Sequence, residues 1–131
     1  MIFARNMKEI ANLANERKRK GLEAALQGIY LDLASEVEEK IKTAAENGLY
    51  NASTGDLYNK IKPEVRQRLI KDGYNLDEAV LQLACMIQKR FFECEFDVKI
   101  DNPTLNNNCY CVYIAWDKEP QRCAFGRANP T

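Results

Sequence analysis

Histidine is missing altogether from this 131-residue chain. That absence excludes the Ser-His-Asp and Cys-His nucleophile arrangements, His-ligated metal sites and the usual proton shuttle near neutral pH. No stretch reaches the roughly 20 apolar residues that a membrane-spanning helix needs, so no membrane partner is expected. Residues 1–6 contain no apolar run followed by a small-residue cleavage site, so no secretory leader is expected either. The glycine-rich loops G-x-G-x-x-G and G-x-x-x-x-G-K-S/T do not occur, which removes the standard dinucleotide and nucleoside triphosphate cradles. Charge of one sign is also lacking: 19 basic residues match 19 acidic ones. A strong global field of the kind that coats a polyanion is therefore excluded.

The cysteines are odd in number and confined to the last third: Cys85, Cys94, Cys109, Cys111 and Cys123. A secreted disulfide scaffold uses even sets at framework spacings, whereas this pattern suits a reducing cytoplasm with thiols as small buried hydrophobes. Cys94, Cys109, Cys111 and Cys123 are the weak candidates for a four-thiolate zinc site, but no C-x-x-C knuckle supports it. No basic residue flanks Cys109 or Cys111 to lower a thiol pKa for redox work. No metal and no cofactor is expected.

The zero net charge is a sum of opposed blocks. Residues 1–20 carry six basic and two acidic side chains, and residues 21–56 carry two and seven. Residues 57–73 carry five and two, residues 74–119 four and eight, and the remainder adds two basic residues. Alternating blocks of this kind suit intramolecular pairing or charge-complementary self-assembly.

What is present reads as α+β in a single domain: three or four helices, then a C-terminal antiparallel β-hairpin or small sheet. Residues 1–47 are helical by period, with Phe3, Met7, Ile10 and Ala14 starting a stripe. Leu22, Leu26, Ile29, Leu33, Val37, Ile41 and Ala44 continue it, and Gly48 suits the position just past a helix end. Gly21 favours a division into a short first helix and a longer second one. Residues 49–56 read as a loop or a short extended segment. Pro63 opens a helix that Asp72-Gly73 stops, and Asn75 caps another whose buried face carries Val80, Ala84, Ile87 and Phe91. Residues 63–92 thus form the second helical region.

The period then falls to two. Cys94, Phe96, Val98 and Ile100 alternate with charged residues, and residues 109–116 are apolar on both faces, as in a strand covered on both sides. Residues 93–116 make the hairpin, and residues 117–131 an extended tail. A two-stranded hairpin alone is marginal, so it needs helices beneath it, a third strand from residues 49–53 or the tail, or a neighbouring subunit.

Three constellations are candidates for function. Glu95, Asp97 and Lys99 share a strand face, and Asp97-Val98-Lys99 has the acid-x-Lys spacing of metal-dependent nucleases, though no matching upstream acid is identifiable. Arg17, Lys18, Arg19 and Lys20 form a basic run, and Lys60, Lys62, Arg66, Arg68 and Lys71 make a second cluster. The candidate binding residues are that run with Arg66, Arg68 and Tyr74. Phosphate contact by them is conceivable, but four consecutive helical residues spread around the helix and no aromatic residues interleave to stack bases. Nucleic acid is therefore not the favoured partner.

One pattern goes beyond composition. The segment Ala44-Ala45-Glu46-Asn47-Gly48, then Leu69-Ile70-Lys71-Asp72-Gly73-Tyr74, then Ile114-Ala115-Trp116 resembles small uncharacterised bacteriophage and prophage proteins. In those an A-A-x-x-G helix end and an L-x-x-x-G-Y element precede a strand ending in I-x-W. The likeness spans residues 36–116 and supplies no catalytic residues. It implies a phage gene product in the host cytoplasm, binding a host or phage protein, with inhibition of a host defence component as one task. A homo-oligomer is expected. The alternatives are a virion or assembly component and, last, a metal-dependent nuclease.

Overall fold

A computed structural model describes residues 3–102 and 109–116. The expected tail at residues 117–131, including Cys123, lies outside them. Among the described residues the chain folds as α+β, with three α-helices and a small antiparallel sheet.

The first helix, α1, runs unbroken over Ala4–Glu46, 43 residues and about 65 Å at 1.5 Å per residue. The expected break at Gly21 does not occur. A mid-helix glycine costs only about 1 kcal/mol against alanine, and the missing side chain here makes room for Tyr74. A short strand β1 (Asn51–Ser53) follows, then a 3-10 turn at Leu57–Lys60, α2 (Pro63–Lys71) and α3 (Leu76–Glu93). Pro63 sits in the first turn of α2, and the Asn75 side chain accepts a 3.2 Å hydrogen bond from the Glu78 amide, capping α3. Strands β2 (Asp97–Asp101) and β3 (Cys111–Ala115) complete the order β1-β3-β2, antiparallel throughout. The hairpin thus gains its third strand from residues 51–53.

All three α-helices stop in the same way. The amide two residues past each cap donates to a carbonyl in the last turn: Leu49 to Ala44, Tyr74 to Leu69, and Phe96 to Phe91. Gly48 and Gly73 supply the required left-handed residue in two cases, and Glu95, at φ 72°, in the third. That motif corrects the expected start of the strand. Cys94 is the cap of α3 and Glu95 is turned, so β2 begins only at Asp97. The Phe96 ring packs edge-on against Phe91 and against Trp116, at centroid distances of 5.9 and 6.1 Å.

The core gathers Leu22, Leu26, Leu33 and Val37 of α1 with Val80, Leu83, Ala84, Ile87 and Phe91 of α3, under Val112 and Ile114 of β3. Strand β3 is covered on one face only, because Tyr113 between those two residues is 42% exposed. Thr54 is fully buried where β1 ends; its hydroxyl accepts from the Val112 amide at 3.1 Å and donates to the Gly55 carbonyl at 2.7 Å. No described helix is long and apolar enough to cross a membrane.

Candidate functional site

The core residues of α1 begin at Leu22. Residues 3–20 are all exposed, so this part of α1 stands out from the globule as an arm about 25 Å long. An isolated helix of that length is marginal in water because nucleation is costly. Here the packed half of the same helix supplies the nucleus, and the arm only propagates it.

The arm is not polar all round. Phe3 is 55% exposed, Met7 44%, Ile10 59% and Leu13 57%. At about 100° per residue, Phe3, Met7, Ile10 and Ala14 fall within roughly 60° of one another. The core line of Leu22, Leu26, Leu33 and Val37 lies about 120° further round the helix. The arm's stripe is therefore a separate face, and the expectation that it continues the core stripe is corrected. Counting spacings of three and four across Gly21 hides this rotation.

Carried along the helix, the arm's face leads to Gly21, Ala25 and Gly28. There it meets a groove of about 430 Å³, floored by Ala25, Gly28, Ile29 and Leu33 of α1 and walled by Val65 and Arg68 of α2. Asp32 and Glu36 stand on one rim, with Lys60 and Lys62 on the other. Lys60 donates to Glu36 at 2.6 Å, and that hydrogen bond holds the Glu36 carboxyl below its ordinary pKa. A β-carbon at Gly28 would meet no atom within 4 Å, so the groove floor is open there.

The basic run does not form one surface. Arg19 pairs with Glu16 and Glu23, and Lys20 with Glu16, along the helix itself. Arg17 and Lys18 make no ion pair among the described residues. Arg66 lies 4.3 Å over the Tyr58 ring and donates to the Tyr58 carbonyl, so its guanidinium is held within the fold. Arg68 faces the groove, and Tyr74 packs against Gly21. Of the seven binding candidates, Arg68 and Tyr74 therefore border the groove and its approach.

The acidic triplet is divided. Asp97 and Lys99 remain on β2, paired with Ala115 and Tyr113 of β3, while Glu95 sits off the strand in its left-handed turn. The thiols are dispersed as well: Cys94 caps α3, whereas Cys111 opens β3 with Cys109 two residues before it. The expectation of buried thiols is corrected: Cys85 and Cys94 are exposed on α3 and at its cap, and Cys109 and Cys111 are half-buried. Desolvation, and then the neighbouring Cys109, still push the Cys111 thiol up, and partial desolvation by the packing around α3 does the same for Cys85. Among the described residues no three histidine, cysteine or carboxylate groups cluster as a metal site.

Comparison with protein-family models, with curated proteins and with solved structures returned no match.

Proposed function

We propose that this chain is a non-enzymatic interaction protein of the phage type it resembles, acting in the host cytoplasm as an oligomer and inhibiting a host defence component by surface complementarity. The observation that carries the reading is the arm. A helix that outruns its own domain, with Phe3, Met7 and Ile10 in solvent along one face, leaves an apolar stripe that monomeric surfaces rarely carry without a partner. An amphipathic helix laid into a groove is a recurrent protein-recognition mode, read through anchors spaced three and four residues apart. The arm also has four more basic than acidic side chains over residues 1–20, which favours a surface with carboxylates beside its apolar patch.

The same overreach favours the second reading, a virion or assembly component whose long helix packs among neighbours. Affinity purification from infected host cells separates the two. The first reading expects a host protein to be recovered with the wild-type chain and lost with the Met7→Ser, Ile10→Ser double variant. Recovery of no host protein, with the chain confined to virions, sinks it.

A further inference from the structure

The groove between α1 and α2 is stopped at both ends. The Lys60–Glu36 hydrogen bond crosses it at one end, and the Tyr74 phenol lies on Gly21 at the other. Those two contacts also set the direction: α2 runs antiparallel to α1. The floor between Ala25 and Glu36 is about 16 Å long. A docked helix or strand needs open ends to run through, so this space suits a discrete small molecule. Its volume of about 430 Å³ and its place between two helices are those of such sites.

The charges along the groove are set apart. Lys60 engages Glu36, and Lys62 stands on the same wall close to that bridge. Asp32 lies one turn before Glu36 on the α1 rim and makes no ion pair among the described residues. Arg68 stands on the opposite wall, further along α2 towards Tyr74, and it makes none either. By the antiparallel run Arg68 comes level with Gly28, about 6 Å along the axis from Asp32. The only acid of α1 over residues 21–31 is Glu23, which Arg19 and Gln82 engage. Between Asp32 and Arg68 the surface is uncharged: Gly28, Ile29 and Leu33 form the floor and Val65 the wall.

We propose that this groove binds a small aromatic carboxylate carrying a hydrogen-bond donor at the far end of its ring. Arg68 holds the carboxylate in its planar fork, Asp32 accepts from the donor, and the ring lies over Gly28 and Ile29 against Val65. One free cation at the Arg68 end suits a monoanion, since a doubly charged group also meets the Asp32 carboxylate. A rigid ring spans the two charged groups without the loss of rotamer freedom that a flexible chain suffers on binding. Gly28 leaves the space for it, because a β-carbon there has no neighbour within 4 Å. The site is separate from the arm and does not depend on the reading of the arm as a docking element.

The test is a titration of the isotope-labelled full chain, followed by amide chemical shifts. The probes are 4-hydroxyphenylacetate, phenylacetate, 4-hydroxyphenylethanol and acetate. With 4-hydroxyphenylacetate the expected result is saturable shifts centred on Gly28, Ile29 and Val65, with a dissociation constant on the order of 1 mM or below. Phenylacetate lacks the donor and 4-hydroxyphenylethanol lacks the anion, and each should bind about fivefold more weakly. Arg68→Gln should remove the advantage of the acid over the alcohol, and Asp32→Ala the advantage of the hydroxylated ring over the plain one. Gly28→Leu should abolish binding of all three ring compounds without lowering the melting temperature, because the free chain has room for the side chain.

No shifts at about 10 mM probe, or shifts centred elsewhere, overturn the proposal. Acetate binding as tightly as the ring compounds overturns it by showing a bare anion contact, and so does an acid preference that survives Arg68→Gln. Met7→Ser with Ile10→Ser should leave the titration unchanged, and loss of probe binding in that variant would place the probe on the arm instead. Partner capture by the arm is read in a separate experiment, so failure of either reading leaves the other standing.

Discussion

The phenolic oxygen of Tyr74 lies 2.5 Å from where a β-carbon on residue 21 would stand. Gly21 is thus the point at which the loop between α2 and α3 closes on α1, just before the arm leaves the globule. Alanine at 21 would gain about 1 kcal/mol of helix propensity yet must displace the phenol. The expected result is that Gly21→Ala destabilises the wild type by about 1 kcal/mol but stabilises a Tyr74→Phe background by about 1 kcal/mol, since the next ring atom is at 3.8 Å. Denaturant unfolding of the four proteins in the cycle measures this. Additive effects would show that the two residues do not touch in solution.

Glu95 adopts φ 72°, a left-handed conformation that side chains with a β-carbon pay for in strain. If the residue serves only to end α3, Glu95→Gly stabilises the fold by about 1 kcal/mol, seen as a higher urea midpoint. A loss of stability would mean that the carboxylate is held in that turn by an interaction of its own.

Lys60 holds the Glu36 carboxyl below its ordinary range, mainly through their hydrogen bond, with burial opposing it. A carboxylate whose folded pKa is depressed contributes stability that is present above its unfolded pKa of about 4.3 and is lost as pH falls through the folded value. Both partners are substantially exposed, so the pair contributes at most about 1 kcal/mol. Lys60→Gln should therefore cost about that much at pH 7 and progressively less in acid. A difference that stays constant between pH 7 and pH 2 would show that the effect of Lys60 does not arise from pairing with Glu36.

The arm makes no core contact, so its apolar residues should be dispensable for the fold. Met7→Ser with Ile10→Ser should leave the stability of the isolated monomer within about 0.5 kcal/mol of wild type. Thermal unfolding at concentrations where only monomer is present is the check. A loss of several kcal/mol would place those side chains in the core.

Much of the fold was legible because its signals are local. Pro63, Asn75 and the two glycines after α1 and α2 mark helix ends within a few residues of themselves, and Val80, Ala84, Ile87 and Phe91 repeat at helical spacing. Strand β1 was less so: three residues gain their structure from β3, some 60 positions away, and Thr54 locks the two together. The end of α3 was obscured because Glu95 occupies a position that glycine usually announces. The sequence marks the arm as a helix but not as a free one. Its stripe and the core stripe both have helical spacing, and only their rotation about the axis separates a face that is buried by this chain from one that is not. The groove was invisible in sequence, since alanine and glycine at 24–28 mark it only by what they leave out.

The most direct test of the arm as a docking element is photo-crosslinking in cells, with Ile10→benzoylphenylalanine compared against the same probe at Lys42, an exposed position on the packed half of α1. The account predicts a dominant protein adduct from position 10 that maps to one defined surface, with little from position 42. Equal, diffuse labelling from the two positions, or no protein adduct at position 10, would contradict it.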